Sequence, residues 1–73
     1  MNSQLNPVDV HVGRRLACAL QAAGLSAADL APTLGTETAR IMRYIEGTER
    51  VGAATMFNLC RVLGLKPSWF YRP

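Results

Sequence analysis

The sequence holds 73 residues, 49% of them hydrophobic, which suits one compact domain and leaves no room for a second. Eight Lys and Arg against five Asp and Glu give a formal charge of +3, and seven of the eight cations are arginine, so the composition favours a polyanionic partner without naming one. The N-terminus MNSQLNPVDV has neither a basic n-region nor an apolar h-region, and the apolar runs are only a few residues long. A cytoplasmic, soluble protein is expected, with no membrane association.

Punctuation along the chain predicts five helices behind a flexible N-terminus at residues 1–6. Asn6 before Pro7 reads as an N-cap with proline at the first helical position, and Asp9 complements the positive end of the helix dipole. Helix 1 runs to Ala23 with an apolar stripe of Val8, Val12, Leu16, Ala19 and Ala23, and Gly24 stops it. Ser26 caps helix 2, with Asp29 in the acidic place of a capping box and Leu30 and Leu34 facing inward. Pro32 removes an N–H and crowds the carbonyl of Ala28, so helix 2 is expected to kink or end early.

Gly35 closes helix 2, Thr36 is read as the cap of helix 3, and helix 3 is placed at Glu37 to Glu46 with Ile41, Tyr44 and Ile45 turned to the core. Thr48 to Gly52 read as a polar connection. Helix 4 spans Ala53 to Leu63, burying Met56, Leu59, Cys60 and Leu63, and Lys66-Pro67-Ser68 opens a last turn in which Trp69 and Phe70 cover the core. No alternating run competes, so the class is all-α: a compact five-helix bundle at residues 7–73, with a helix-turn-helix formed by helices 2 and 3.

Chemistry-bearing clusters are sparse. Cys18 and Cys60 lie in separate helical segments and read as buried free thiols rather than a disulfide or redox pair. His11 is the one histidine and no Cys-x-x-Cys or His-x-x-x-His spacing occurs, so no metal is expected. Without a glycine-rich phosphate loop or carboxylates converging on a nucleophile, no catalytic residue and no cofactor are expected, and Glu46 and Glu49 read as a solvated helix end.

Two short helices joined by a tight turn, Gly24 to Gly47, form the arrangement by which small proteins present one helix to the DNA major groove. With Ile41, Tyr44 and Ile45 inward, Thr38, Ala39, Arg40, Met42 and Arg43 are left on the outer face of helix 3. Arg43 has the chemistry to donate two hydrogen bonds to guanine O6 and N7, and Thr38 and Ala39 to meet a thymine methyl. Arg40 and Arg50 are assigned to phosphates, which set register without carrying sequence information. The backbone N–H groups of Ala27 and Ala28 are assigned to a further phosphate.

The words VGRRL at 12–16, GLS at 24–26, DLA at 29–31, LG at 34–35, Ile41, RY at 43–44, GTERVGA at 47–53 and NLCRVLGLKPSWF at 58–70 carry a resemblance. In order and spacing they resemble the lambda-repressor/Cro-type, or XRE-type, helix-turn-helix family over about residues 8 to 70. The resemblance implies a five-helix bundle that binds operator-like double-stranded DNA, usually as a dimer, with helix 3 in the major groove. It places Thr38, Ala39 and Arg43 at base-reading positions and a dimer or partner contact at Lys66, Pro67, Trp69 and Phe70. An equal alternative is that Trp69 and Phe70 merely complete the core.

Departures from the family pattern also matter. Ala27 stands where glutamine is common, Glu37 opens helix 3 near the phosphates, and Leu20 and Ile45 replace a buried Arg–Glu pair, so those two apolar residues are expected to touch. The leading function is a sequence-specific DNA-binding transcriptional regulator, cytoplasmic and nucleoid-associated, whose binding is weak or assisted by a dimer or partner. The alternative is a helix-turn-helix protein-interaction module: an antitoxin, an anti-repressor or a docking subunit of the transcription machinery. The end at Tyr71-Arg72-Pro73 suggests the N-terminal domain of a longer protein.

Overall fold

A computed structural model describes residues 5–73 as five helices: α1 (Pro7–Ala23), α2 (Ala27–Thr33), α3 (Thr38–Glu46), α4 (Ala53–Leu63) and α5 (Pro67–Tyr71). Most of the expected flexible N-terminus, residues 1–4, lies outside the described residues. Asn6 instead belongs to the domain, since its Oδ1 accepts the Val8 N–H at 2.8 Å and starts α1 as an N-cap. No helix among the described residues is long and apolar enough to cross a membrane.

The buried face of α1 is Val12, Gly13, Leu16, Ala19 and Leu20, which corrects the expected stripe. Val8 and Ala23 are exposed because they sit at the two ends of the helix, while Gly13 and Leu20 turn inward. Gly13 marks where α1 crosses the last turn of α3: a Cβ built there would stand 2.3 Å from the Tyr44 carbonyl oxygen. Gly47, the left-handed C-cap of α3 at φ 78°, approaches Val10 across the same contact.

Ser26 and Asp29 form the expected capping box, Asp29 N–H to Ser26 Oγ at 3.0 Å and Ser26 N–H to Asp29 Oδ2 at 2.9 Å. Removing the hydroxyl in Ser26→Ala is expected to cost about 1 kcal/mol in denaturant unfolding. The same backbone hydrogen bond from Ser26 holds the Asp29 carboxyl below its ordinary value of 3.8. A depressed folded pKa means that its stabilisation is fully present above 3.8 and is lost as pH falls through the lower folded value. The stability difference between wild type and Asp29→Asn should therefore hold at neutral pH and shrink below that point, as read from thermal unfolding across pH.

α2 is seven residues long and stops at Thr33, directly after Pro32, so the proline terminates the helix early. The turn that follows corrects the expected start of α3. The Thr36 N–H bonds the Ala31 carbonyl at 3.0 Å, closing α2, and the extended residue Glu37 takes the N-cap position of α3 without a side-chain hydrogen bond.

The core joins Val12, Leu16, Leu20, Leu30, Ala31, Ile41, Tyr44, Met56, Leu59, Cys60 and Phe70. Val51 adds to it from the α3–α4 connection, which was expected to be polar throughout. Leu20 is buried and Ile45 packs against the same cluster, so both positions of the replaced ion pair line one apolar core. Leu63 is only partly buried. Cys60 is a buried free thiol whose burial raises its pKa, whereas Cys18 is exposed, contrary to expectation, because it lies on the outer side of α1.

α5 is held to α1 by Arg15, whose Nε and Nη2 donate to the Trp69 carbonyl at 3.0 and 2.8 Å while its guanidinium lies 3.8 Å from the centre of the Trp69 ring. His11 on α1 is hydrogen-bonded through Nε2 to the Arg72 carbonyl. α1 thus forms the spine of the bundle, with α3 on one side and α5 on the other.

Candidate nucleic-acid interface

α3 packs on α1 and α2 through Ile41 and Tyr44 and leaves a continuous outward face. Thr38 and Ala39 are exposed in its first turn, and Arg40 and Met42 are exposed beside them. Arg43 is half-buried, its side chain 44% accessible. The structure thus brings the three expected base-reading residues and Arg40 onto one helix, turned away from the core.

Glu49, expected from the sequence to lie on a solvated helix end, instead pairs with the arginines of this face. Gly47 reverses the chain after α3, with Thr48 N–H bonded to the Arg43 carbonyl at 3.0 Å, and the next residue is carried back alongside the helix. Glu49 Oε1 accepts from Arg43 Nε at 2.8 Å, and its Oε2 lies 3.2 Å from Arg40 Nε. The hydrogen-bonded carboxylate raises the Arg43 pKa above its ordinary value. Glu49 is therefore a partly buried bridge between two arginines, which corrects the expectation of a solvated helix end. The signal available in sequence was the i, i+3 spacing of two cations followed by an acidic residue just past a glycine stop.

Arg50 behaves differently. Its Nε donates to Asp9 Oδ1 at 3.0 Å, tying the α3–α4 connection to the first turn of α1 and raising the Arg50 pKa. The Asp9 side chain is 14% accessible and that of Arg50 is 66%, so the pair sits at the surface. At the start of α2, Ala28 is exposed and Ala27 partly buried, but the capping carboxylate of Asp29 stands at the same helix end. A phosphate there would meet a fixed negative charge.

The expected partner contact at the start of α5 divides. Lys66 and Pro67 are exposed. Phe70 is fully buried and meets Trp69 edge-on at 5.2 Å between ring centres, while Trp69 is partly buried beneath Arg15. Phe70 is core and is withdrawn from the contact surface. In its place stands Phe57, 65% exposed on α4, where it borders one cleft with Val51, Met56, Pro67 and Tyr71 and another with Cys60, Arg61, Leu65 and Lys66. The signal for Phe57 was its place outside the helical stripe of Met56, Leu59, Cys60 and Leu63.

No family model matches the chain. A protein of Sinorhizobium medicae named as an uncharacterized HTH-type transcriptional regulator is 36% identical over 66 residues, which are 90% of this chain and 48% of that protein. A Sinorhizobium fredii protein of the same description is 30% identical over 69 residues, 94% of this chain and 48% of its own length. The chain spans about half the length of the curated relatives it matches. Among solved structures, the restriction-modification controller protein C.AhdI from Aeromonas hydrophila superposes with a TM-score of 0.80 at 25% identity, over 86% of this chain and 96% of that one. The five-helix architecture, the capped helix pair and these similarities agree: the chain has the helix-turn-helix fold and is similar to HTH-type transcriptional regulators, in support of the XRE-type, Cro/C1-type family.

Proposed function

We propose that this chain is the DNA-binding part of a transcriptional regulator, acting in the cytoplasm on the nucleoid and inserting α3 into the major groove. The observation that carries this reading is the exposed outer face of α3, bearing Thr38, Ala39 and Arg43 on a helix fixed from behind by α1 and α2. Arg43 reads a guanine edge and Thr38 and Ala39 meet a neighbouring base, while Arg40 and Arg50 contact phosphates. The Asp29 carboxylate argues against a phosphate at Ala27 and Ala28. The residues carry no catalytic role in this reading. Gel shifts with promoter fragments across salt concentration test it, and affinity that falls steeply with salt yet differs between fragments is the expected result. Uniform, weak binding to every fragment would contradict it.

Glu49 pairs with both arginines of α3 and the charge of Glu37 also acts on Arg43, so one copy offers reduced net attraction to phosphate. Tight binding therefore calls for a second copy, and the Phe57, Pro67 and Tyr71 surface is where we place it. Phe57→Asp should turn a dimer into a monomer by light scattering and weaken operator binding, with the monomer still folded because Phe57 is outside the core. The second reading, a protein-interaction module, is favoured by this same apolar surface together with the neutralised arginines. Retained dimerisation with no DNA selectivity would support it.

A further inference from the structure

We propose that Glu49 is the positioning residue of the α3 reading face: it grips Arg40 and Arg43 by their Nε atoms and holds both guanidinium groups in a fixed outward pose. The inference rests on the DNA-reading function proposed above. A guanidinium carries five N–H donors, and bidentate recognition of guanine uses a pair of them in a fixed fork. In Arg43 the Nε–H is bonded to Glu49, and among the described residues its Nη groups make no hydrogen bond, which leaves that end for a base edge. Arg40, one helical turn earlier, is held by the other oxygen of the same carboxylate. One acidic side chain on a short connection thus orders two long, otherwise mobile side chains before DNA arrives, which lowers the ordering entropy lost on binding.

The arrangement also sets a limit on indiscriminate binding. Glu49 neutralises part of the charge that any duplex would attract and repels phosphates that approach α3 out of register. Glu49 thus acts chiefly on specificity, and its removal should strengthen binding to the wrong sequence more than to the right one.

Glu49→Gln tests this, because glutamine keeps the shape and removes the charge at a surface position. The variant and the wild-type protein are titrated with a selected operator and with a scrambled duplex over a range of salt. The expected result is a roughly tenfold fall in the ratio of operator to scrambled affinity, the size of one weakened base contact. The log–log salt slope on the scrambled duplex should steepen by up to about 0.9, because the Glu49 charge no longer offsets one of the two arginines at the phosphates. A ratio and slope equal to those of the wild type, in a protein whose wild-type form does discriminate, overturn the role of Glu49 and leave the DNA-reading function standing. A wild type that does not discriminate overturns both. A second readout needs no DNA: the Arg43 Nε–H resonance should exchange slowly with solvent in the free wild-type protein and quickly in Glu49→Gln. Equal exchange in both would show that no clamp exists.

Discussion

Gly13→Ala is expected to destabilise the domain by about 3 kcal/mol, at the upper end of the usual cost of overpacking. The added Cβ would lie 2.3 Å from the Tyr44 oxygen, 2.5 Å from the Ile45 oxygen and 2.9 Å from the Ile45 carbonyl carbon. All three are backbone atoms, so no rotamer change relieves the clash and α1 must move away from α3. On an open helix surface the same exchange would stabilise by about 0.5–1 kcal/mol, so the sign separates a packing cause from helix propensity. A domain of this size has a total stability of about 4–11 kcal/mol, and the loss should lower the melting temperature by on the order of 10–20 °C. Thermal unfolding by circular dichroism measures it. Because the crossing lies against the last turn of α3, the surviving folded protein should also bind DNA less well, since Arg43 sits in that turn.

The second large effect concerns the two arginines that Glu49 holds, which are expected to fail in different ways. Arg43→Ala should lower operator affinity roughly 10- to 100-fold and leave scrambled DNA nearly unaffected, since a lost base contact is a loss of discrimination. Arg40→Ala should weaken both duplexes alike and reduce the salt slope by about one, the mark of a lost phosphate contact. Competition gel shifts at two salt concentrations distinguish these outcomes. Identical behaviour of the two variants would mean that α3 is docked in another register.

The sequence is most legible where backbone groups demand a particular partner. Asn6 with Pro7, Ser26 with Asp29, and glycine at 24, 47 and 64 mark helix ends because orphan N–H and carbonyl groups must be satisfied locally. Thr36 misleads for the same reason in reverse: its backbone is already committed to Ala31, and Glu37 caps α3 by conformation alone. What periodicity conveys less well is which direction an apolar position faces at a helix end. Val8 and Ala23 fit the stripe yet overhang the bundle, while Gly13, which carries no hydrophobic signal, fixes the closest helix crossing.

The candidate site follows the same division. That Thr38, Ala39, Arg40 and Arg43 are outward follows from three inward residues on a nine-residue helix. The role of Glu49 does not, because it depends on how a connection folds back after Gly47 and brings one carboxylate within reach of two side chains. Asp9 and Arg50 are 41 residues apart and pair for a comparable reason, through the tertiary approach of the connection to α1. Phe70 completes the core, one of the two readings open for it, because the short α5 docks this aromatic under the bundle, while Phe57, for which no role was expected, stays exposed on α4.

The most direct test of the central claim is selection from a random duplex library with the full-length protein. One short motif containing a guanine read by Arg43 should be enriched, repeated with half-sites about 10–10.5 base pairs apart where two copies bind. Arg43→Ala should lose preference at that guanine alone. A library that emerges without any enriched motif, from protein shown to be folded, would contradict that claim.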